Sequence, residues 1–123
     1  MKKIRIILGA MIVAMVMGGC GDKQKNKLLQ KGVNAFYGSE GTELDREEAF
    51  RLFSEAAEAG NARAMYNIGC LYQKGQGVDQ DYQKAFEYYE KAAEMGDEMA
   101  VSRIRDLVNN GCISRDEAEK WMD

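Results

Sequence analysis

Between residues 45 and 60 the apolar side chains recur at spacings of three, four and seven. Ala49, Phe50, Phe53, Ala56 and Ala57 therefore form one stripe along a helix. Asp45 precedes the stripe and Glu48 stands three positions on, a box-like pair that predicts the helix start. Gly60 predicts its end. The pattern returns 36 positions later: residues 49–64, AFRLFSEAAEAGNARA, match residues 85–100, AFEYYEKAAEMGDEMA. A self-match at a fixed spacing predicts a repeat array, in which each unit packs on its neighbours.

The remaining elements follow from the same signals. A first helix is predicted from near Asn26 to Tyr37, with Leu28, Leu29, Val33 and Phe36 apolar, and Gly38, Ser39, Gly41 and Thr42 break it. A third helix covers about Ala62–Lys74 and stops at Gly75-Gln76-Gly77. A fourth runs from Asp81 to Gly96, and a fifth from Asp97 to Asn110 with Ala100, Ile104, Leu107 and Val108 apolar. Ser114 and Glu117 form a capping box that predicts a last helix over Arg115–Met122, with Trp121 covering the end of the stack. The expected fold is all-α: a short α/α solenoid of about two and a half helix-turn-helix repeats.

The amino terminus belongs to a different class. A basic start (Lys2, Lys3, Arg5) leads into an apolar run over 6–17, too short as a helix to cross a bilayer of about 30 Å. This describes an export signal. Met17-Gly18-Gly19-Cys20 resembles the lipobox of bacterial lipoproteins, which implies a signal peptide over 1–19, lipidation at Cys20, and membrane attachment through that lipid. Residues 20–26 then form a lipidated cysteine and polar leader, and 27–123 the repeat domain. Gly21 following the cysteine is not the aspartate that retains some lipoproteins at the inner membrane, so the resemblance favours the outer membrane. Lys23, Lys25, Lys27 and Lys31 cluster behind the anchor, either as an electrostatic supplement to it or as a solvated helix face.

Loss of residues 1–19 reduces the 17 basic residues to 14 against 20 acidic ones. That balance argues against general nucleic-acid binding. Chemistry is poorly provided for. There is no histidine, and Cys70 and Cys112 lack any paired metal-ligand spacing. No serine is followed three residues later by lysine, so the arrangement of penicillin-recognising enzymes is missing. No cofactor or metal is expected. The helical geometry also places Cys70 and Cys112 too far apart for a disulfide, unless the chain curls back after Gly111.

Residues 64–100 carry Ala64, Gly69, Leu71-Tyr72, Gly75, Gly77-Val78, Asp81, Lys84-Ala85, Tyr89, Lys91-Ala92-Ala93 and Gly96. This segment resembles the Sel-like repeat (suppressor-enhancer-of-lin type), a relative of the tetratricopeptide repeat. Residues 28–63 resemble a weaker copy, in which Val33 and Ser39 take the places of the first two glycines, and residues 100–123 a shortened one. The resemblance implies a solenoid that mediates protein–protein contact without shared catalytic machinery.

A recognition face follows from the 36-residue register. Arg63, Asn67, Cys70 and Lys74 form one polar stripe. The same positions hold Lys27, Lys31, Asn34 and Gly38 in the first helix, and Met99, Arg103, Asp106 and Asn110 in the fifth. In tetratricopeptide-like stacks the first helix of each pair lines the concave side. Lys31–Asn67–Arg103 and Asn34–Cys70–Asp106 are then adjacent columns of a groove for an acidic or extended protein segment. The expected function is a lipid-anchored, non-catalytic binding module or scaffold at the cell envelope, facing the periplasm or exterior. Its partner is unknown, periplasmic or membrane-associated. Alternatives are an immunity protein that neutralises a periplasmic toxin and a hydrolase resembling β-lactamases.

Overall fold

The computed structural model describes residues 18–38 and 45–123. Five α-helices follow one another: α1 (Gly18–Tyr37), α2 (Arg46–Glu58), α3 (Ala62–Lys74), α4 (Tyr82–Glu94) and α5 (Glu98–Asn109). A short 3-10 turn, Glu119–Trp121, comes last. No strand occurs among the described residues. α1 packs on α2, α3 on α4, and each pair leans on the next, as the repeat pattern predicts.

The helix starts are chemically alike. Asp45, Asn61 and Asp81 each accept a hydrogen bond from the backbone N–H three residues on, at 3.0 Å, and Asp97 accepts one from Met99. Glu48 does not reach back to complete the predicted box. Its carboxylate instead takes Arg51, which also bridges to Glu55. The turns at Gly60 and Gly96 have φ of 92° and 94°, a left-handed backbone that favours glycine.

Burial divides into two clusters. Ala49, Leu52, Phe53, Ala56 and Ala57 of α2 meet Ala35 of α1 and Ala64, Ile68 and Leu71 of α3. Ala85, Phe86, Tyr89, Ala92 and Ala93 of α4 meet Tyr66 of α3 and Ala100, Ile104 and Leu107 of α5. Alanines at these seams let the helix axes come close. Phe50, expected inside, is only half-buried and packs edge-on against Tyr72, whereas Leu52 is buried.

Residues 21–26, expected as a polar leader ahead of the first helix, lie within α1, and the Lys25 carbonyl accepts from Asn61 Nδ2. The last helix is a single 3-10 turn. Ser114 and Glu117 do exchange their capping contacts, but only Ala118 is buried in that segment, too little apolar surface to hold two further helical turns. Trp121 is half-buried against the second cluster, its indole N–H donating to Glu90.

The α1–α2 unit is offset from α3–α4 by 37 residues in its first helix and by 36 in its second. Gly32 lies under the Phe53 ring as Gly69 lies under the Tyr89 ring; a Cβ on either would sit 2.6 Å from ring carbons. The Asp45 N–H donates to the Ala35 carbonyl, and the Asp81 N–H to the Tyr72 carbonyl. Gly38 and Gly75 share a φ of 67° after their helices. The equivalents of Gly69 and Gly75 are therefore Gly32 and Gly38, not Val33 and Ser39. The connection following α1 carries one extra residue. One residue is 100° of helix, so a different face of α1 meets the groove.

Candidate functional site

The first helices of the three units line one groove of about 300 Å³. α3 forms its floor with Arg63, Tyr66, Asn67, Cys70, Leu71 and Lys74; α1 contributes Val33, Phe36 and Tyr37, and α5 contributes Arg103. Phe53 and Gln76 complete the lining. Of the residues the sequence nominates, Arg63, Asn67, Cys70, Lys74 and Arg103 converge here. Lys27, Lys31, Asn34, Asp106 and Asn110 do not line it. Lys27 and Lys31 are exposed elsewhere on α1, and Asn34 accepts from Gln30 Nε2. The 37-residue offset explains this. The helical equivalents of Cys70 and Lys74 are Val33 and Tyr37, so α1 turns an aromatic face to the groove. Asp106 and Asn110 are exposed at the far end of α5.

Tyr66 organises the cationic side. Arg103 Nε donates to its hydroxyl at 3.2 Å, the Arg63 guanidinium lies 5.1 Å from its ring centroid, and its ring leans on Tyr89 at 5.7 Å. Burial raises the Tyr66 phenol above the usual tyrosine range, with the Arg103 bond pulling the other way. Arg103, held by that hydroxyl, is fixed as a cation. Arg63 also pairs with the buried Asp97 at 3.4 Å. Beneath them the Tyr89 hydroxyl donates to Gln73 Oε1 at 2.6 Å and lies 3.3 Å from Cys70 Sγ. Burial drives the Tyr89 phenol strongly upward. Both phenols are thus neutral hydrogen-bonding groups over the physiological range.

Three cations and no carboxylate line the groove. Among the described residues, Lys74 and Arg103 have no acidic partner. No set of three metal-ligating side chains converges among the described residues. Cys70 and Cys112 are both free thiols. Ser54 donates to the Phe50 carbonyl of its own helix, and Ser114 is engaged in its turn. The arrangement can hold an anionic group beside an apolar one, and it presents no paired nucleophile and base.

Aromatic groove residues were not among the sequence-derived candidates. Tyr66 sits one helical position from Asn67, and the signal for Phe36 and Tyr37 was the equal Gly32–Gly38 and Gly69–Gly75 spacing.

The Sel1 repeat model matches residues 32–61 and 62–97. A Sel1 repeat protein from Oxalobacter formigenes is similar over 81% of this chain, at 31% identity and a TM-score of 0.70. A protective antigen present in uropathogenic Escherichia coli strains, displaying an SLR fold, is similar over 79%, at 29% identity and a TM-score of 0.72. The matches cover 41% and 21% of those longer chains. No curated protein is significantly similar. Sel1 repeats are in general protein-interaction modules. The matched segments span more than half of the sequence, and the chain belongs to the Sel1 repeat family.

Proposed function

We propose that this chain is a non-catalytic protein-binding module, held at a bacterial cell envelope by a lipid on Cys20, with the concave groove as its binding face. The observation that carries the binding role is the groove itself. Three successive first helices supply it, Tyr66 fixes the position of Arg103, and the lining is cationic in a chain with an acidic balance. A face of this kind favours an acidic polypeptide segment through charge complementarity.

The anchor rests on the basic start, the apolar run and Met17-Gly18-Gly19-Cys20. Residues 1–17 lie outside the described residues. With Cys20 already within α1, the eight residues from Cys20 to Leu28 rise only about 12 Å as a helix. The groove would then stand close to the bilayer, joined to it by helix, and the partner would be membrane-proximal. Gly21 supports the outer membrane as the address.

The test is capture of envelope proteins by the full chain expressed in a bacterial host. Arg103→Glu should abolish capture and Lys31→Glu should leave it intact, because α1 turns Lys31 away from the groove. Equal capture by both variants would refute the groove as the binding face. Separately, Cys20→Ser should abolish incorporation of labelled palmitate and release the chain from membranes; labelling that persists would refute the anchor.

A further inference from the structure

The extra residue following α1 does more than shift a register. It rotates Val33, Phe36 and Tyr37 into positions that α3 fills with Cys70, Gln73 and Lys74. The groove consequently has an aromatic wall on α1 and cations on α3 and α5. On the wall, Tyr37 is 74% exposed, the most exposed large apolar side chain among the described residues, and its ring meets Phe36 edge-on at 4.8 Å. Phe36 is in turn held by Arg46, whose guanidinium lies 5.3 Å from its ring centroid. Across the groove from it, Lys74 on α3 and Arg103 on α5 line the same space without an acidic partner among the described residues. Arg63 is occupied by Asp97.

We infer that the partner is an extended segment that lays a large apolar side chain on Phe36 and Tyr37 and aims an Asp or Glu carboxylate at Lys74 and Arg103. The inference rests on the groove being the binding face and names the chemistry that face selects. Exposed aromatic rings are stable anchors for an apolar side chain because their own ordering costs little. Arg103 is already oriented through its Nε, so its outer N–H groups meet a carboxylate with little further loss of freedom.

Geometry sets the spacing. Adjacent helices lie about 8–10 Å apart, and an extended chain advances about 3.4 Å per residue with alternate side chains on one face. Lys74 stands one such spacing from Tyr37, and Arg103 reaches back from the second spacing to Tyr66 on α3, so for a segment crossing the helices the acid falls two or four positions from the apolar anchor, at about 7 or 14 Å. An acid one or three positions away points out of the groove.

The experiment is selection of a random dodecapeptide library, displayed on phage as an amino-terminal fusion, against the detergent-solubilised full chain. Enriched peptides should pair a Phe, Tyr, Trp, Leu or Ile with an Asp or Glu two or four places away. Lys74→Gln with Arg103→Gln should erase the acid from the consensus and lower affinity for the wild-type peptides about tenfold. Phe36→Ala with Tyr37→Ala should erase the apolar position and keep the acid. Circular dichroism melts establish that both variants are folded. A consensus that is neutral or basic, an acid at odd spacing only, or no enrichment at all overturns the inference. If envelope capture still depends on Arg103 in that event, the groove stands as a binding face and only its assigned chemistry falls.

Discussion

The Arg103 guanidinium reaches from α5 to the Tyr66 hydroxyl on α3, at 3.2 Å, and so ties the second unit to the third across the groove floor. Tyr66 is itself 7% exposed, with Arg63 over its ring and Tyr89 beside it. A residue held on its face, edge and hydroxyl works as a fixed post for a mobile cation. Tyr66→Phe keeps the ring and removes only the hydroxyl. The melting midpoint should move by about 1 kcal/mol or less in stability. Capture of the partner should weaken several-fold, because Arg103 loses its orientation. Unchanged capture would show that Arg103 needs no post.

Gly32 and Gly69 are required by close ring packing, not by backbone conformation. Alanine at either position places its Cβ 2.6 Å from the Phe53 or Tyr89 ring. Both rings are buried and closely surrounded, so Gly32→Ala and Gly69→Ala should each cost about 1–3 kcal/mol. Arg105, the α5 counterpart of Gly69, meets no such ring and donates to the carbonyls of Trp121 and Asp123. Arg105→Ala should cost less than either glycine change. Urea unfolding measures all three.

Ala92 is fully buried within the second cluster. Ala92→Leu should overpack that seam by about 1–3 kcal/mol, read as a lowered thermal midpoint. An unaltered midpoint would remove Ala92 from the seam.

Two buried phenols, Tyr66 in the groove floor and Tyr89 beneath it, make stability fall at high pH. Burial raises both Tyr66 and Tyr89 above the ordinary value, which favours the protonated form in the fold. Their contribution is complete below the unfolded phenol value of about 10 and is lost as pH rises through the folded values. Melting midpoints should hold to about pH 10 and then decline, with two of the six tyrosines ionising only as helicity is lost. Tyr89→Phe should flatten the decline. Ionisation of all six with full helicity retained would contradict the burial assigned here.

Much of the architecture was legible in the chain. The bounds of α3 match the prediction, and Asp45, Asn61, Asp81 and Asp97 stand as helix starts because a side-chain oxygen must serve the free N–H groups there. The first helix of the array was read one residue out of place. The strong match between 49–64 and 85–100 lies in the second helices, and it fixes 36 as the period only there. The extra residue falls before Asp45 and leaves that match untouched. Two glycines six apart, Gly32 and Gly38, reproduce Gly69 and Gly75 and mark the true phase. Four groove-lining residues, Arg63, Asn67, Cys70 and Lys74, were legible on α3, and Arg103 on α5. The α1 candidates Lys27, Lys31 and Asn34 lie off the groove because one residue rotates a helix by 100°. The carboxyl-terminal segment has a sound helix-start motif but little apolar surface to bury, and a start signal alone does not sustain a helix.

A partner bound by the groove touches the first helices and not the outer ones. Site-specific photocrosslinking in cells tests this directly, with a benzophenone side chain placed at Asn67 in the groove and at Glu87, exposed on α4. A discrete crosslinked polypeptide from position 67 and none from position 87 is the predicted result. The same band from position 87 with none from position 67 would contradict the account.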